Sequence, residues 1–136
     1  MKWRRFILVQ FEYTLCMRVL ICLVATALFA QQGHPLTGTW SGDWGPSATE
    51  RTKVTFVMDW DGKNVTGQIN PGPDSIPLSS VYVEPATWTV RIEADTKAKV
   101  HISAEGRLED IGSYHRIIRG TWRQGSVTGD FTLTRD

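Results

Sequence analysis

Residues 88–95 read WTVRIEAD, in which Trp88, Val90, Ile92 and Ala94 are apolar while Thr89, Arg91, Glu93 and Asp95 are polar. Side chains that switch character at every step sit on opposite faces of an extended chain, so this stretch predicts a strand with one buried and one wet face. The pattern recurs. Leu36, Gly38, Trp40 and Trp44 alternate with Thr37, Thr39, Ser41 and Asp43, and Val54, Phe56, Met58 and Trp60 with Lys53, Thr55 and Asp59. Further strands are predicted over 64–69, 76–83, 98–105, 114–122 and 127–134, and no stretch shows a sustained helical period. The fourth, over 76–83, alternates poorly and contains Pro77, which suits an edge-like position.

Eight strands joined by short links, two of them the hairpin turns Asp61-Gly62 and Gln124-Gly125, give an antiparallel meander as the simplest topology. A meander with one apolar face can close into an up-and-down barrel, which removes exposed edges. The expected fold is therefore all-β, a single eight-stranded barrel over residues 31–136. WDGKNVTGQI (60–69) and WRQGSVTGDF (122–131) share Trp, Val, Thr and Gly at matching positions. Both read as strand, turn, strand, a pattern that suits any hairpin in the wall of a small barrel.

The first thirty residues are of a different kind. Residues 19–28 (VLICLVATAL) form a ten-residue apolar run after Arg18, followed by small residues near Ala27 and Ala30. This is the layout of a secretory signal peptide, with cleavage expected after Ala30. The run is shorter than the roughly 20 apolar residues a membrane span needs. Met17 directly precedes Arg18, so MRVLICLVATALFA is a complete short signal by itself and offers a second candidate start. Cys22 follows Val19, Leu20 and Ile21 rather than a small residue, which speaks against a lipid anchor. Both cysteines, Cys16 and Cys22, fall in this segment, so the expected mature chain has no disulfide to stabilise it. Of fifteen basic and fourteen acidic side chains, four and one lie in these thirty residues. The remainder carries a net charge near −2, and Arg116, Arg119 and Arg123 are split between strand faces, which excludes a nucleic-acid stripe.

Chemical motifs are sparse. The chain has no Gly-x-Ser-x-Gly, His-Glu-x-x-His, Cys-x-x-Cys or phosphate-cradling Gly loop, so neither catalytic residues nor a metal or other cofactor are expected. His34, His101 and His115 read as surface histidines. Asp59, Asp61 and Asn64 are oxygen-rich but lack calcium-loop spacing and a closing Glu, so a hairpin turn explains them. Asn64-Val65-Thr66 matches an N-glycosylation acceptor. Arg135 is in phase with Phe131 and Leu133, and pairing of the last strand with the first would bring it beside Trp40. A guanidinium over an indole gains about 1 kcal/mol or more as it loses water, so Trp40 and Arg135 are the expected closure pair.

Gly-x-Trp on the first strand (Gly38, Trp40) with a late Arg (Arg135) closing over it resembles the calycin superfamily, which includes the lipocalins and avidins. The segments GTWSGDWGPS, VTFVMDWDGKNVTGQINPGPDSIPL, AEGRLED and GTWRQGSVTGDFTLTR are similar to small exported β-barrel domains of environmental bacteria, a group without an established activity. The resemblance implies an antiparallel up-and-down barrel and export, periplasmic or secreted. In avidin-like chains an Asn and a Ser after the first-strand Trp contact biotin. Here Gly42 and Pro46 stand in those positions, and neither has a side-chain hydrogen-bonding group. Each buried polar ligand group left unpaired costs about 1 to 3 kcal/mol, so biotin is not expected.

A ligand-carrying barrel would need an empty core. About 300 Å³ is small for a ligand site, yet at about 24 cal/mol per Å³ it costs about 7 kcal/mol. That compares with a total stability of about 5 to 15 kcal/mol. The side chains expected inside are already bulky: Trp40, Trp44, Phe56, Met58, Trp60, Tyr82, Trp88, Ile92, Tyr114, Ile118, Trp122 and Phe131. A filled barrel is therefore the preferred expectation, acting as a monomeric, non-catalytic exported module through surface loops. The candidate contact loops are GDWGPSATE and NPGPDS, and the partner is a protein or an envelope component. Two alternatives stay open. A carrier of a small apolar ligand would use Trp44, Trp60, Tyr82, Trp88, Tyr114 and Trp122. A protease inhibitor of the small-barrel kind would insert its N-terminal segment, QQGHPL.

Overall fold

The computed structural model describes residues 33–136. The expected signal peptide (1–30), the alternative start at Met17, Cys16, Cys22 and the first two residues of QQGHPL lie outside the described residues. Eight strands follow one another: β1 (Gly38–Gly45), β2 (Thr52–Trp60), β3 (Val65–Ile69), β4 (Ile76–Glu84), β5 (Thr89–Asp95), β6 (His101–Glu109), β7 (Ile117–Gln124) and β8 (Val127–Arg135). Each pairs antiparallel with the next, and β8 returns to pair with β1, so the sheet closes as an up-and-down barrel.

Alternation sets the wall. In β5, Val90, Ile92 and Ala94 are buried while Arg91, Glu93 and Asp95 are exposed. The inward residues of all eight strands merge into one apolar core that includes Trp40, Phe56, Ile92, Ile118, Trp122, Phe131 and Leu133, none more than 3% exposed. Each such side chain contributes about 1.5 to 3 kcal/mol through removal from water. Two glycines give the aromatic layer its room. Gly106 and Gly120 face each other across β6 and β7, and Gly120 also opposes Phe131 on β8. A Cβ on Gly120 would overlap the Glu105 carbonyl, and one on Gly106 would stand 3.0 Å from Phe131 Cζ. A side chain at Gly106 would meet the Arg119 carbonyl and the Phe131 ring, and one at Gly120 the backbone of β6.

Two predicted boundaries shift, and one strand changes register within its length. Residues 98–100 belong to a turn rather than to β6: Lys99 donates to the Thr96 carbonyl, and Val100 to the Thr96 hydroxyl. Residues 114–116 belong to the β6–β7 loop, where Ser113 donates to the Asp110 carbonyl. In β4 the register slips between Leu78 and Ser80. One extra residue in a strand reverses which side chains face inward. Val81 and Val83 therefore pack on the core, and Tyr82 points out.

Candidate functional site

The barrel has two ends. The lower carries the residues before β1, the β2–β3, β4–β5 and β6–β7 connections and the end of β8. The upper carries the β1–β2, β3–β4, β5–β6 and β7–β8 connections.

The lower end is stoppered. Thr37 donates to the His34 carbonyl, turning the chain so that Leu36 enters the core with 0% exposure. The Leu36 carbonyl accepts the Trp40 indole N–H at 2.8 Å. Arg116, just before β7, fixes the same turn, donating to the Pro35 carbonyl at 2.9 Å and the Ile111 carbonyl at 3.0 Å. His34 stacks on Trp60 with ring centroids 4.7 Å apart. Burial holds the His34 pKa below its ordinary value, and its Nδ1 accepts the Leu36 N–H.

Arg135 is the register partner of Trp40, as the closing of β8 onto β1 requires. Its guanidinium covers a different ring from the one expected: Cζ lies 5.0 Å from the centroid of Tyr114. The Trp40 indole is committed to Leu36, whereas Tyr114 is delivered by the loop that replaces the start of the predicted seventh strand. Arg135 Nε is buried without a hydrogen-bond partner and packs against Gly38, where a Cβ would stand 2.8 Å away.

The six aromatics proposed to line an internal ligand site do not converge. Trp44 and Trp122 stack near the upper end at 4.8 Å, and Phe56 and Phe131 meet Trp122 edge-on. Trp60 is at the lower end against His34 and 38% exposed, because it closes β2 at the rim. Trp88 occupies a left-handed position in the β4–β5 turn (φ 55°), half-buried, and its carbonyl accepts the Leu108 N–H. Tyr82 and Tyr114 are corrected from inside to outside, at 52% and 64% exposure: the β4 slip turns out the first, and the second lies beyond β7. The Tyr82 hydroxyl donates to Glu84, which raises the phenol pKa.

The upper end offers a concavity instead. The β1–β2 connection crosses β8 at Gly129, where a Cβ would overlap the Gly45 carbonyl. Beside Pro46 it leaves an open cleft of about 860 Å³ over the outer wall. The cleft is lined by His101, Ser103 and Glu105 of β6, Thr121 and Arg123 of β7 and Thr128 of β8, with Trp122 and Gly129 completing it. Two of these polar groups are already held: His101 Nδ1 donates to Asp95 at 2.9 Å, and Glu105 accepts from Arg91 at 3.0 Å. Arg123 forms no ion pair among the described residues and is the cleft's available cation. These residues are the polar half of the alternation in β6, β7 and β8. No sequence pattern groups them, because the overhanging loop creates the grouping.

Neighbouring loops are pinned. Arg51 joins Asp43 of β1 to Asp130 of β8; these hydrogen bonds, that to Asp43 foremost, raise its pKa, and Arg51 in turn lowers that of Asp130. NPGPDS is tied to the β5–β6 turn by Lys97 Nζ, which donates to the Pro73 carbonyl. At the lower end, the N–H groups of Asn64 and Lys63 converge on Asp61 Oδ1 and lower its pKa, so this carboxylate caps its own turn. Among the described residues no group of three or more His, Cys, Asp or Glu is placed to hold a metal. Nor is any helix there long and apolar enough to cross a membrane.

No protein-family model, curated protein or solved structure matches the chain. Its architecture is a closed eight-stranded antiparallel up-and-down barrel, consistent with a calycin-like fold.

Proposed function

We propose that this chain is a non-catalytic, exported, calycin-like module that acts as a monomer through the outside of its barrel on a protein or envelope partner. The observation that carries this reading is the occupied interior: Trp40, Phe56, Trp122 and Phe131 fill the space a carried ligand would need. The cleft between Pro46 and the outer faces of β6–β8 is the contact surface, with Arg123 as its cationic handle. It also adjoins the first of the two stiff upper loops. An inhibitor that inserts its N-terminal segment is less well supported, because His34, Pro35 and Leu36 are docked on their own barrel.

The test is co-sedimentation of purified protein with isolated bacterial cell-envelope material, beside a Thr128→Trp variant that fills the cleft. Saturable binding weakened about tenfold or more by the variant supports the reading; a tenfold change is about 1.4 kcal/mol. Absent binding, or binding indifferent to the variant, overturns it. A stoichiometric small-molecule adduct in native mass spectrometry of freshly purified protein would favour the carrier.

A further inference from the structure

The strand side of the upper cleft carries one transverse row of outward residues. Ser103 of β6 stands opposite Arg123 of β7, and Arg123 stands opposite Thr128 of β8. Neighbouring strands lie about 4.8 Å apart, so Arg123 has a hydroxyl-bearing side chain on each side. Glu105 and Thr121, register partners of one another, form the next row toward the middle of the barrel. The charges around these rows are already partnered, with one exception. Glu105 is paired with Arg91, His101 with Asp95, and Asp130, opposite Thr121, with Arg51. Glu93 continues the first row on β5, two strands from Arg123 and outside the cleft. Within the cleft, Arg123 is the one charge that has no ion pair among the described residues.

We propose that the cleft binds a carboxylated sugar, a uronic acid residue within an acidic oligosaccharide or polysaccharide. The proposal rests on the reading of the cleft as the contact surface and names the ligand class. A guanidinium fork matches a planar carboxylate and can hold it through two parallel hydrogen bonds. Ser103, Thr121 and Thr128 each offer a donor and an acceptor, which suits the hydroxyls of a sugar ring. One carboxylate also balances one free cation, whereas a phosphate dianion would bring surplus negative charge toward Glu105. A protein partner fits less well. Protein interfaces are anchored by aromatic and aliphatic side chains in apolar pockets, and the one exposed apolar side chain lining this cleft is Pro46. Its volume of about 860 Å³ lies within the range of about 300 to 1,000 Å³ for small-ligand sites. Because the cleft is open, a residue in the middle of a glycan chain can enter it.

The probes are tetramers of galacturonate and of glucuronate, titrated into the intact protein and followed by amide NMR shifts and calorimetry. Their methyl esters, a tetraglutamate peptide and inorganic phosphate are the comparison ligands. The free acids should shift the amides of residues 101–105, 121–123 and 128. Esterification of the sugar and Arg123→Gln should each weaken binding about tenfold or more, since each removes a charge-assisted hydrogen bond. Arg107→Gln removes an exposed arginine of β6 outside the cleft and should leave binding unchanged. No binding of either acid, equal binding of the esters, an equal loss with Arg107→Gln, or tighter binding of tetraglutamate or phosphate overturns the proposal. If it falls while Thr128→Trp still weakens envelope binding, the cleft reading stands without this ligand. Uronate binding without envelope binding would keep the ligand and remove the envelope partner.

Discussion

The guanidinium of Arg135 stands over the ring of Tyr114, its Cζ 5.0 Å from the centroid, at the seam where the last strand meets the first. Tyr114 is exposed, so the contact is worth about 0.5 to 1 kcal/mol. Tyr114→Ala should cost about that much in urea unfolding. Gly38→Ala should cost more, about 1 to 3 kcal/mol: Gly38 has φ 130°, and its new Cβ would press on Arg135 Nε.

Trp40 and Trp122 are both buried indoles with opposite hydrogen-bond status. Trp40 donates to the Leu36 carbonyl, whereas Trp122 Nε1 has no partner. Replacement by Phe removes similar volume at each site. Trp40→Phe additionally strands a buried carbonyl, while Trp122→Phe discards an unsatisfied donor. Trp40→Phe should therefore be the more destabilising by about 1 to 3 kcal/mol in unfolding followed by circular dichroism.

His34 links the lower stopper to pH. Burial lowers its folded pKa, and its unprotonated Nδ1 accepts the Leu36 N–H. The unfolded chain takes up the proton first as pH falls, so stability drops as pH passes below the ordinary histidine value of about 6.5 and levels off below the folded value. His34→Phe keeps an aromatic ring beside Trp60 and removes the titration. The difference in melting temperature between the two proteins should change between pH 7.5 and pH 5, with the native chain losing more.

Glycine positions separate wall from loop. Gly120→Ala would drive a Cβ into the Glu105 carbonyl and the Gly106 backbone and should cost about 1 to 3 kcal/mol or more. Gly112, in the β6–β7 loop, has nothing within 4 Å of such a Cβ. Gly112→Ala should be neutral or stabilising by up to about 1 kcal/mol. Thermal unfolding of the two variants checks the contrast.

The meander was legible because β2, β5 and β8 alternate cleanly, so a period of two is enough to assign their faces. β4 defeats that rule at one point. The register slip near Ser79 shows in the sequence only as poor alternation, which does not say where the phase changes, yet it exchanges Tyr82 for Val81 and Val83 on the inner face. Tyr114 was misplaced for a related reason: its phase with Ile118 and Trp122 is only coincidental once the loop reaches Arg116, whose hydrogen bonds go to Pro35 and Ile111. The cleft required knowing that the chain after Gly45 crosses over Gly129, a contact between residues more than eighty positions apart.

The pairing of β1 with β8 has one more consequence. Asp136 donates its backbone N–H to the Thr39 carbonyl, which brings the two termini of the barrel segment to the same rim. Strand order around the ring therefore has no privileged first member. A short linker from Asp136 to Gly33, with a new opening at the exposed Gly125–Ser126 turn, would reorder the gene without reordering the wall, as circular permutation at exposed turns allows.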